Sequence, residues 1–154
     1  MRTNILQYLE ETAVRLPEKV SFSDGKDSVT FGQLYNGARS IGSFLAEQNC
    51  RRRAVAVLMD KHPHAIVTFM GIIYSGAYYV ALDAQMPSLR MQMIIDTIDP
   101  AFIITDEKHR KTADALGREV LIYSDIVNHT ENTALLDNIR AKQIDTDPIY
   151  VVFT

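Results

Sequence analysis

Short apolar segments alternate with amphipathic segments between residues 55 and 123, and this rhythm constrains the fold more than any other feature of the chain. Residues 55–59 are apolar at every position, which is typical of a strand buried on both faces of a sheet. The apolar residues 102–104 and 120–122 are also predicted to form strands. The segments between them place apolar residues at helical spacing. The sequence therefore predicts an α/β fold, with a doubly wound, mostly parallel sheet whose strands are joined by flanking helices.

Capping and breaking residues set the limits of the predicted helices. Thr3 can cap the first helix and Pro17 ends it. Thr30 and Gln33 form a capping box at the start of the second, and Asn49 is predicted to end it in a left-handed conformation. The predicted helices cover residues 3–17, 30–48, 63–76, 87–100 and 107–116, and the predicted strands cover residues 20–22, 29, 55–59, 78–82, 102–104, 120–122 and 149–153.

Gly71 lies inside a predicted helix that is apolar on nearly all sides. Glycine costs about 1 kcal/mol relative to alanine in a helix interior, so we predict that the backbone at Gly71 packs closely against a neighbour. The polar stretch at residues 125–145 is ambiguous, although Leu135 and Ile139 are compatible with a short helix there.

The composition excludes several classes of protein. A net charge of −3 at pH 7 provides no basic field for nucleic acid or an anionic membrane, and the basic run at residues 51–53 is interpreted as a solvated turn. The single cysteine, Cys50, excludes a disulfide framework, suits a cytoplasmic protein and is predicted to be an inert thiol. Residues 1–10 lack the pattern of a signal peptide, and residues 65–73 are too short to span a membrane.

Three segments resemble the core motifs of a known family. Residues 71–83 have the sequence GIIYSGAYYVALD and, with Pro87 and Arg90, resemble the second core motif of amino-acid adenylation domains. Residues 29–34, VTFGQL, resemble the first motif, and residues 149–154, IYVVFT, resemble the strand entering the third. The chain is identified as the N-terminal segment of an adenylate-forming, AMP-binding enzyme of the amino-acid adenylation domain or D-alanine–carrier protein ligase type.

The chain departs from the family pattern at a few positions. Tyr74 stands where the family commonly has Lys, and Ala81 where it has Pro. Ala84 follows Asp83 where the family has a second Pro. These differences concern the subfamily.

The resemblance implies an enzyme that activates a carboxylic acid with ATP. In such enzymes the carboxylate attacks the α-phosphate and pyrophosphate leaves, and the acyl group of the acyl-adenylate then passes to a carrier thiol with release of AMP. The implied cofactors are ATP and Mg²⁺, the implied substrate is an amino acid, and the implied partner is a carrier protein with a phosphopantetheine thiol. An acyl-CoA synthetase or aryl-acid ligase of the same superfamily is an alternative.

The resemblance places the chemistry after Thr154. A phosphate-binding loop rich in Ser, Thr and Gly would begin at Thr154, which is the only residue carried over to cofactor binding. We interpret residues 1–154 as the N-terminal subdomain of the large lobe, interrupted before that loop, with no catalytic residue and no metal ligand. Residues 149–153 are predicted to form a buried strand, and ligands in parallel sheets bind beyond the carboxyl ends of strands.

Other polar residues have structural interpretations. Asp83 is predicted to stabilise a turn or cap a helix, and Arg90 to pair with a nearby carboxylate. His62 and His64 stand two residues apart, which does not place both on one helix face, so we interpret them as residues at a helix start rather than metal ligands.

On this interpretation the chain alone is folded, catalytically silent and without a cofactor. Exposed apolar surface and open sheet edges predict self-association. A different class of function remains open, namely a stand-alone flavodoxin-like binding or interaction module that ends naturally at Thr154 and binds a small ligand.

Overall fold

The structure is a computed structural model that describes residues 4–154. Its helices are α1 (Leu6–Arg15), α2 (Phe31–Glu47), α3 (Pro63–Tyr74), α4 (Ser88–Ile98), α5 (Arg110–Asp114), α6 (Tyr123–Ile126) and α7 (Thr133–Lys142). Its strands are β1 (Val20–Ser23), β2 (Ser28–Thr30), β3 (Ala54–Leu58), β4 (Tyr78–Leu82), β5 (Phe102–Thr105), β6 (Val120–Ile122) and β7 (Tyr150–Val151). Thr3, the predicted cap of α1, lies outside the described residues.

Five strands form one parallel sheet in the order β6-β5-β3-β4-β7. From β3 the chain passes through α3 to β4 on one side, then returns through α4 to β5 on the other side of β3. Right-handed crossovers in opposite directions place α3 and α4 on opposite faces of the sheet. The predicted doubly wound α/β fold is confirmed, and β1 and β2 form a separate antiparallel hairpin.

Alternate side chains of β3 enter two hydrophobic clusters. Val55 and Val57 belong to the cluster that α1, α2, α3, α6 and α7 cover. Ala56 and Leu58 belong to the cluster that α4 and α5 cover. Every residue of β3 is buried, as its uninterrupted apolar run predicted.

The local signals around α2 are confirmed. The Thr30 hydroxyl accepts the Gln33 N–H at 3.2 Å, and the Gln33 side-chain oxygen accepts the Thr30 N–H at 2.9 Å. Asn49 follows the helix with a φ of 57°, in the left-handed region. These interactions satisfy backbone groups that the ends of a helix leave unpaired.

Helices α2 and α3 pack with their backbones in close approach. A Cβ atom added to Gly71 would lie 2.6 Å from Ile41 Cγ2, and one added to Gly42 would lie 2.5 Å from Tyr74 Cβ. Neither helix could approach the other this closely with alanine at these positions. The close packing predicted at Gly71 is confirmed.

Between residues 105 and 145, one predicted helix was wrong in extent and one helix was not predicted. The helix predicted at residues 107–116 is only α5, because the Asp106 carboxylate accepts the His109 N–H at 2.9 Å and holds the preceding residues in a turn. Helix α6 follows β6 directly and was not predicted. Helix α7 confirms the short helix compatible with Leu135 and Ile139.

The strand predicted at residues 149–153 was wrong in burial and length. Of this segment only β7 is extended and paired, and among residues 4–154 it pairs with β4 alone. Tyr150 is 53% exposed and Val152 is 68% exposed. With a neighbour on one side only, the apolar run forms an edge strand rather than a central one.

No helix among residues 4–154 has both the length and the apolar character that a membrane crossing requires.

Candidate functional site

A cavity of about 770 Å³ lies at the carboxyl ends of β3 and β4, and we call it the β3–β4 cavity. Its apolar walls come from the sheet, from α3 and from the β1–β2 hairpin. They include Phe22, Val57, Met59, Ile66, Phe69 and Ala81. Ligands of doubly wound folds bind at this edge of the sheet, which makes the cavity the candidate site.

The rim of the β3–β4 cavity is acidic. It carries the carboxylates of Asp24, Asp60 and Asp83 and one lysine, Lys61. The Asp83 carboxylate accepts the Gln85 N–H at 2.9 Å, so the turn predicted at Asp83 is confirmed.

Asp60 links the rim to the loop after β5. Its carboxylate pairs with Lys108 and lies 3.3 Å from His109 Nε2. The other ring nitrogen of His109 lies 2.7 Å from Asp106 Oδ1. The hydrogen bond from Lys108 is the largest cause that lowers the pKa of Asp60. This cluster holds the loops after β3 and β5 together.

His62 caps α3, as its interpretation as a helix-start residue requires. Its Nδ1 accepts the His64 N–H at 3.1 Å, so in the neutral ring Nε2 carries the proton and donates to Asp27 at 3.2 Å. Asp24, Asp27 and His62 are the one group of three possible metal ligands that comes together among residues 4–154. Asp24 accepts the N–H groups of Lys26 and Asp27, so the hairpin turn brings Asp24 and Asp27 together, and the hydrogen bond to Asp27 adds His62.

The remaining predicted residues lie away from the β3–β4 cavity. Thr154 is exposed and does not line it. Arg90 is exposed, and no carboxylate among residues 4–154 forms an ion pair with it, so its predicted pairing was wrong. Cys50 is fully buried, and burial raises the pKa of its thiol to about 11, which keeps it protonated and unreactive.

The basic run at residues 51–53 forms the predicted turn but is tied to the rest of the chain. Arg51 donates to the Lys142 carbonyl at 2.9 Å, and Arg52 donates to Asp147 at 3.0 Å. These contacts fasten the segment before β7 to the turn before β3.

A polar cluster around Tyr74 was not predicted. The buried Tyr74 hydroxyl donates to Glu10 at 2.9 Å, and Arg140 donates to the same carboxylate oxygen at 2.6 Å. Arg39 packs against the Tyr74 ring and forms an ion pair with Glu131 at 2.6 Å. Burial, followed by the charge of Glu10, raises the pKa of Tyr74. The one signal in the sequence that pointed to this cluster was the departure from the family pattern at Tyr74.

The doubly wound sheet and its cavity define the chain as an α/β domain with a candidate site at its strand ends. The family described as "AMP-binding enzyme" matches residues 9–154. The chain belongs to this family, and the predicted resemblance to adenylate-forming enzymes is confirmed.

Curated relatives include large synthetases. NRPS-like oxidoreductase fscA of Fusarium equiseti is 32% identical over 110 residues, which cover 71% of this chain and 11% of that protein. Gramicidin S synthase 2 of Brevibacillus brevis is 23% identical over 151 residues, which cover 97% of this chain and 3% of that protein. The chain thus spans a small part of the relatives it matches.

Solved structures have the same fold. The nonribosomal peptide synthetase FmoA3 superposes with a TM-score of 0.82 and 26% identity, covering 95% of this chain and 16% of that one. An o-succinylbenzoate CoA synthetase from Bacillus subtilis superposes with a TM-score of 0.70 and 16% identity, covering 85% of this chain and 35% of that one.

The described residues do not fit the triphosphate of ATP. The rim of the β3–β4 cavity carries more carboxylates than cations, which disfavours a polyanion. The residues that line it include no run of Gly, Ser and Thr whose N–H groups could wrap a phosphate. No step of a reaction with ATP is therefore assigned to residues 4–154.

Proposed function

We propose that residues 1–154 form the N-terminal subdomain of an ATP-dependent ligase that activates an amino acid. The family match over residues 9–154 is the observation that carries the proposal. One FmoA3 structure is described as an α-methyl-L-serine-AMP bound form and is 26% identical over 95% of this chain. That similarity supports an amino acid as the substrate class.

In this proposal the chain supplies a scaffold next to the reaction. The segment resembling the second core motif forms the end of α3, all of β4 and the turn at Asp83. Strand β7 lies parallel to β4, so Thr154 follows the carboxyl end of a strand at the same edge of the sheet. Thr154 would begin the phosphate-binding loop, with ATP and Mg²⁺ bound by residues outside 1–154. The acyl group would then pass to a carrier-protein thiol in the cytoplasm.

Exchange of pyrophosphate into ATP tests the substrate class. The polypeptide that contains this chain together with the proposed loop is assayed with amino acids, aryl acids and fatty acids. Exchange that depends on an amino acid supports the proposal. Exchange with aryl or fatty acids alone assigns the protein to the alternative branches, and no exchange with any acid contradicts the ligase.

The role of Thr154 and the predicted inactivity of the isolated chain need separate measurements. In the longer polypeptide, Thr154→Ala should lower the exchange rate about tenfold or more through a lost phosphate contact, whereas Thr154→Ser should retain most of it. Equal rates for the two variants would remove Thr154 from the site. The 154-residue chain alone should show no exchange, and activity there would refute its silence.

A further inference from the structure

We propose that the β3–β4 cavity binds a small apolar ammonium ligand, with its apolar body on the floor of the cavity and its ammonium group at the acidic rim. The proposal concerns a site within residues 4–154 and does not rest on the proposed ligase activity.

The floor of the cavity is preformed. Val57 and Ala81 are register partners in β3 and β4, so their side chains lie on the same face of the sheet. Val57 is buried, whereas the small Ala81 is exposed at the bottom of the cavity. The Phe69 ring stacks on Tyr79 at a centroid distance of 4.1 Å, which fixes one wall. A small residue between larger ones thus leaves apolar surface open to a ligand.

The β1–β2 hairpin supplies a second wall of the cavity, which stays partly open to solvent. Phe22 is 42% exposed and faces the cavity from β1. The volume of about 770 Å³ falls within the range of roughly 300–1,000 Å³ typical of sites for small molecules. The cavity therefore suits a ligand with an aromatic or branched aliphatic body.

The rim specifies the charge of the ligand. Among residues 4–154, the ionisable residues that line the cavity are three aspartates, one lysine and one histidine, His62. Asp60 is already paired with Lys108. Asp83 follows the carboxyl end of β4, and no cation among residues 4–154 forms an ion pair with it. An ammonium group would complement this excess of carboxylates, whereas a carboxylate or phosphate would be repelled.

Three probes of similar size separate charge from apolar contact. Binding of 2-phenylethylamine, 2-phenylethanol and 3-phenylpropionate to the chain is followed by amide chemical shifts in NMR at low salt. We expect the amine to bind about fivefold tighter than the alcohol, with the carboxylate weakest. The shifts should centre on residues 57–61 and 81–85. Equal or tighter binding of the carboxylate, no binding of the amine, or shifts elsewhere would overturn the proposal.

Two variants test the floor and the rim separately. Ala81→Leu should fill the cavity and lower the affinity for the amine at least about tenfold. Asp83→Asn retains an oxygen for the Gln85 N–H but loses the charge. It should therefore lower the affinity for the amine about fivefold and leave the affinity for the alcohol unchanged. The control Asp114→Asn makes the same charge change at an exposed position in α5, and it should leave the affinities for the amine and the alcohol unchanged.

The rim variant keeps the test decisive if Ala81→Leu fails to fold. An amine affinity that is equally weakened in Asp83→Asn and Asp114→Asn would assign the effect to net charge and overturn the site. An affinity for the amine that is unchanged in Asp83→Asn would also overturn the site.

Discussion

The interface between α2 and α3, on one face of the sheet, and the edge of the sheet at β7 differ in how their contacts are made. At the interface, two glycines let the backbones approach until a single added methyl group would collide with a neighbour. At the edge, β7 has one neighbouring strand among residues 4–154, and Tyr150 and the following Val152 are exposed to solvent. The first region is closely packed and has no room for a larger side chain. The second leaves apolar side chains exposed and available for contact with another surface.

This difference indicates where the chain tolerates change. In the glycine interface, steric exclusion leaves no room for larger side chains, so substitution there should reduce stability. At the edge and in the β3–β4 cavity, substitution should alter association or binding while the fold persists. The four predictions that follow test this division, beginning with the largest expected effect.

Gly71→Ala should destabilise the chain most, by about 2 kcal/mol in the free energy of unfolding measured in urea. The new Cβ would meet Ile41 Cγ2 at 2.6 Å and Ile41 Cβ at 2.7 Å, so the helices must separate. Gly117→Ala is the control, because Gly117 has a φ of +67° but no atom within 4 Å of an added Cβ. The control should cost about 1 kcal/mol through backbone strain alone. A Gly71→Ala protein as stable as the wild type would contradict the close packing.

Tyr74→Phe should cost about 1 kcal/mol of unfolding free energy, because Glu10 loses one of its two donors to that oxygen. The ring contacts with Arg39 and Arg140 would remain. Tyr123→Phe serves as the control, since the Tyr123 ring stacks on His64 and its hydroxyl has no hydrogen-bond partner among residues 4–154. If both variants lose equal stability, the Glu10 contact contributes nothing specific.

Glu131→Gln should weaken the dependence of stability on acid pH. The hydrogen bond from Arg39, followed by one from Thr133, lowers the pKa of Glu131 in the folded state. A lowered folded pKa stabilises the protein above the unfolded value of about 4.3, and this contribution is lost as the pH falls through the folded pKa. Urea unfolding between pH 7 and pH 3 should show a shallower loss for the variant.

The exposed Glu18 supplies the matched control for the acid series. Glu18→Gln should follow the wild-type profile throughout. A Glu131→Gln profile that is also parallel to the wild type would show that the pair with Arg39 is not formed in solution.

Val152→Lys should have the smallest effect on stability, within about 0.5 kcal/mol, but should reduce self-association. We expect the wild-type mass measured by sedimentation velocity to rise with concentration, because β7 leaves an apolar edge open. Val14→Lys, at a position on α1 that is 87% exposed, should leave association unchanged. A wild-type monomer at high concentration, or an equal effect of both lysines, would contradict pairing at this edge.

The sequence was most informative where the residues that determine a feature all lie within or next to one element. The capping box at Thr30, the left-handed Asn49 and the glycine inside α3 were all predicted from neighbouring residues and confirmed. The three core motifs led to the family in the same way. The extent of α5 was missed, because the turn at Asp106 competes with a helical pattern of similar strength.

The candidate site could be predicted only in its position at the strand ends. The β3–β4 cavity combines the β1–β2 hairpin, β3, β4 and α3, and its openness depends on a small residue lying beside larger ones across strands. In the Tyr74 cluster, Glu10 and Arg140 are 130 residues apart. No local sequence pattern predicts a contact between residues so far apart.

The sequence by itself determined the alternation of strands and helices from β3 to β6, the two-sided burial of β3 and the family, because these follow from periodicity, capping and short motifs. Tertiary structure alone decided that β7 is a partly exposed edge strand, that Tyr74 joins a network of charges, and that the mouth of the cavity is acidic. Each of these depends on which distant residues become neighbours, and burial and electrostatics are properties of those neighbours rather than of the segment.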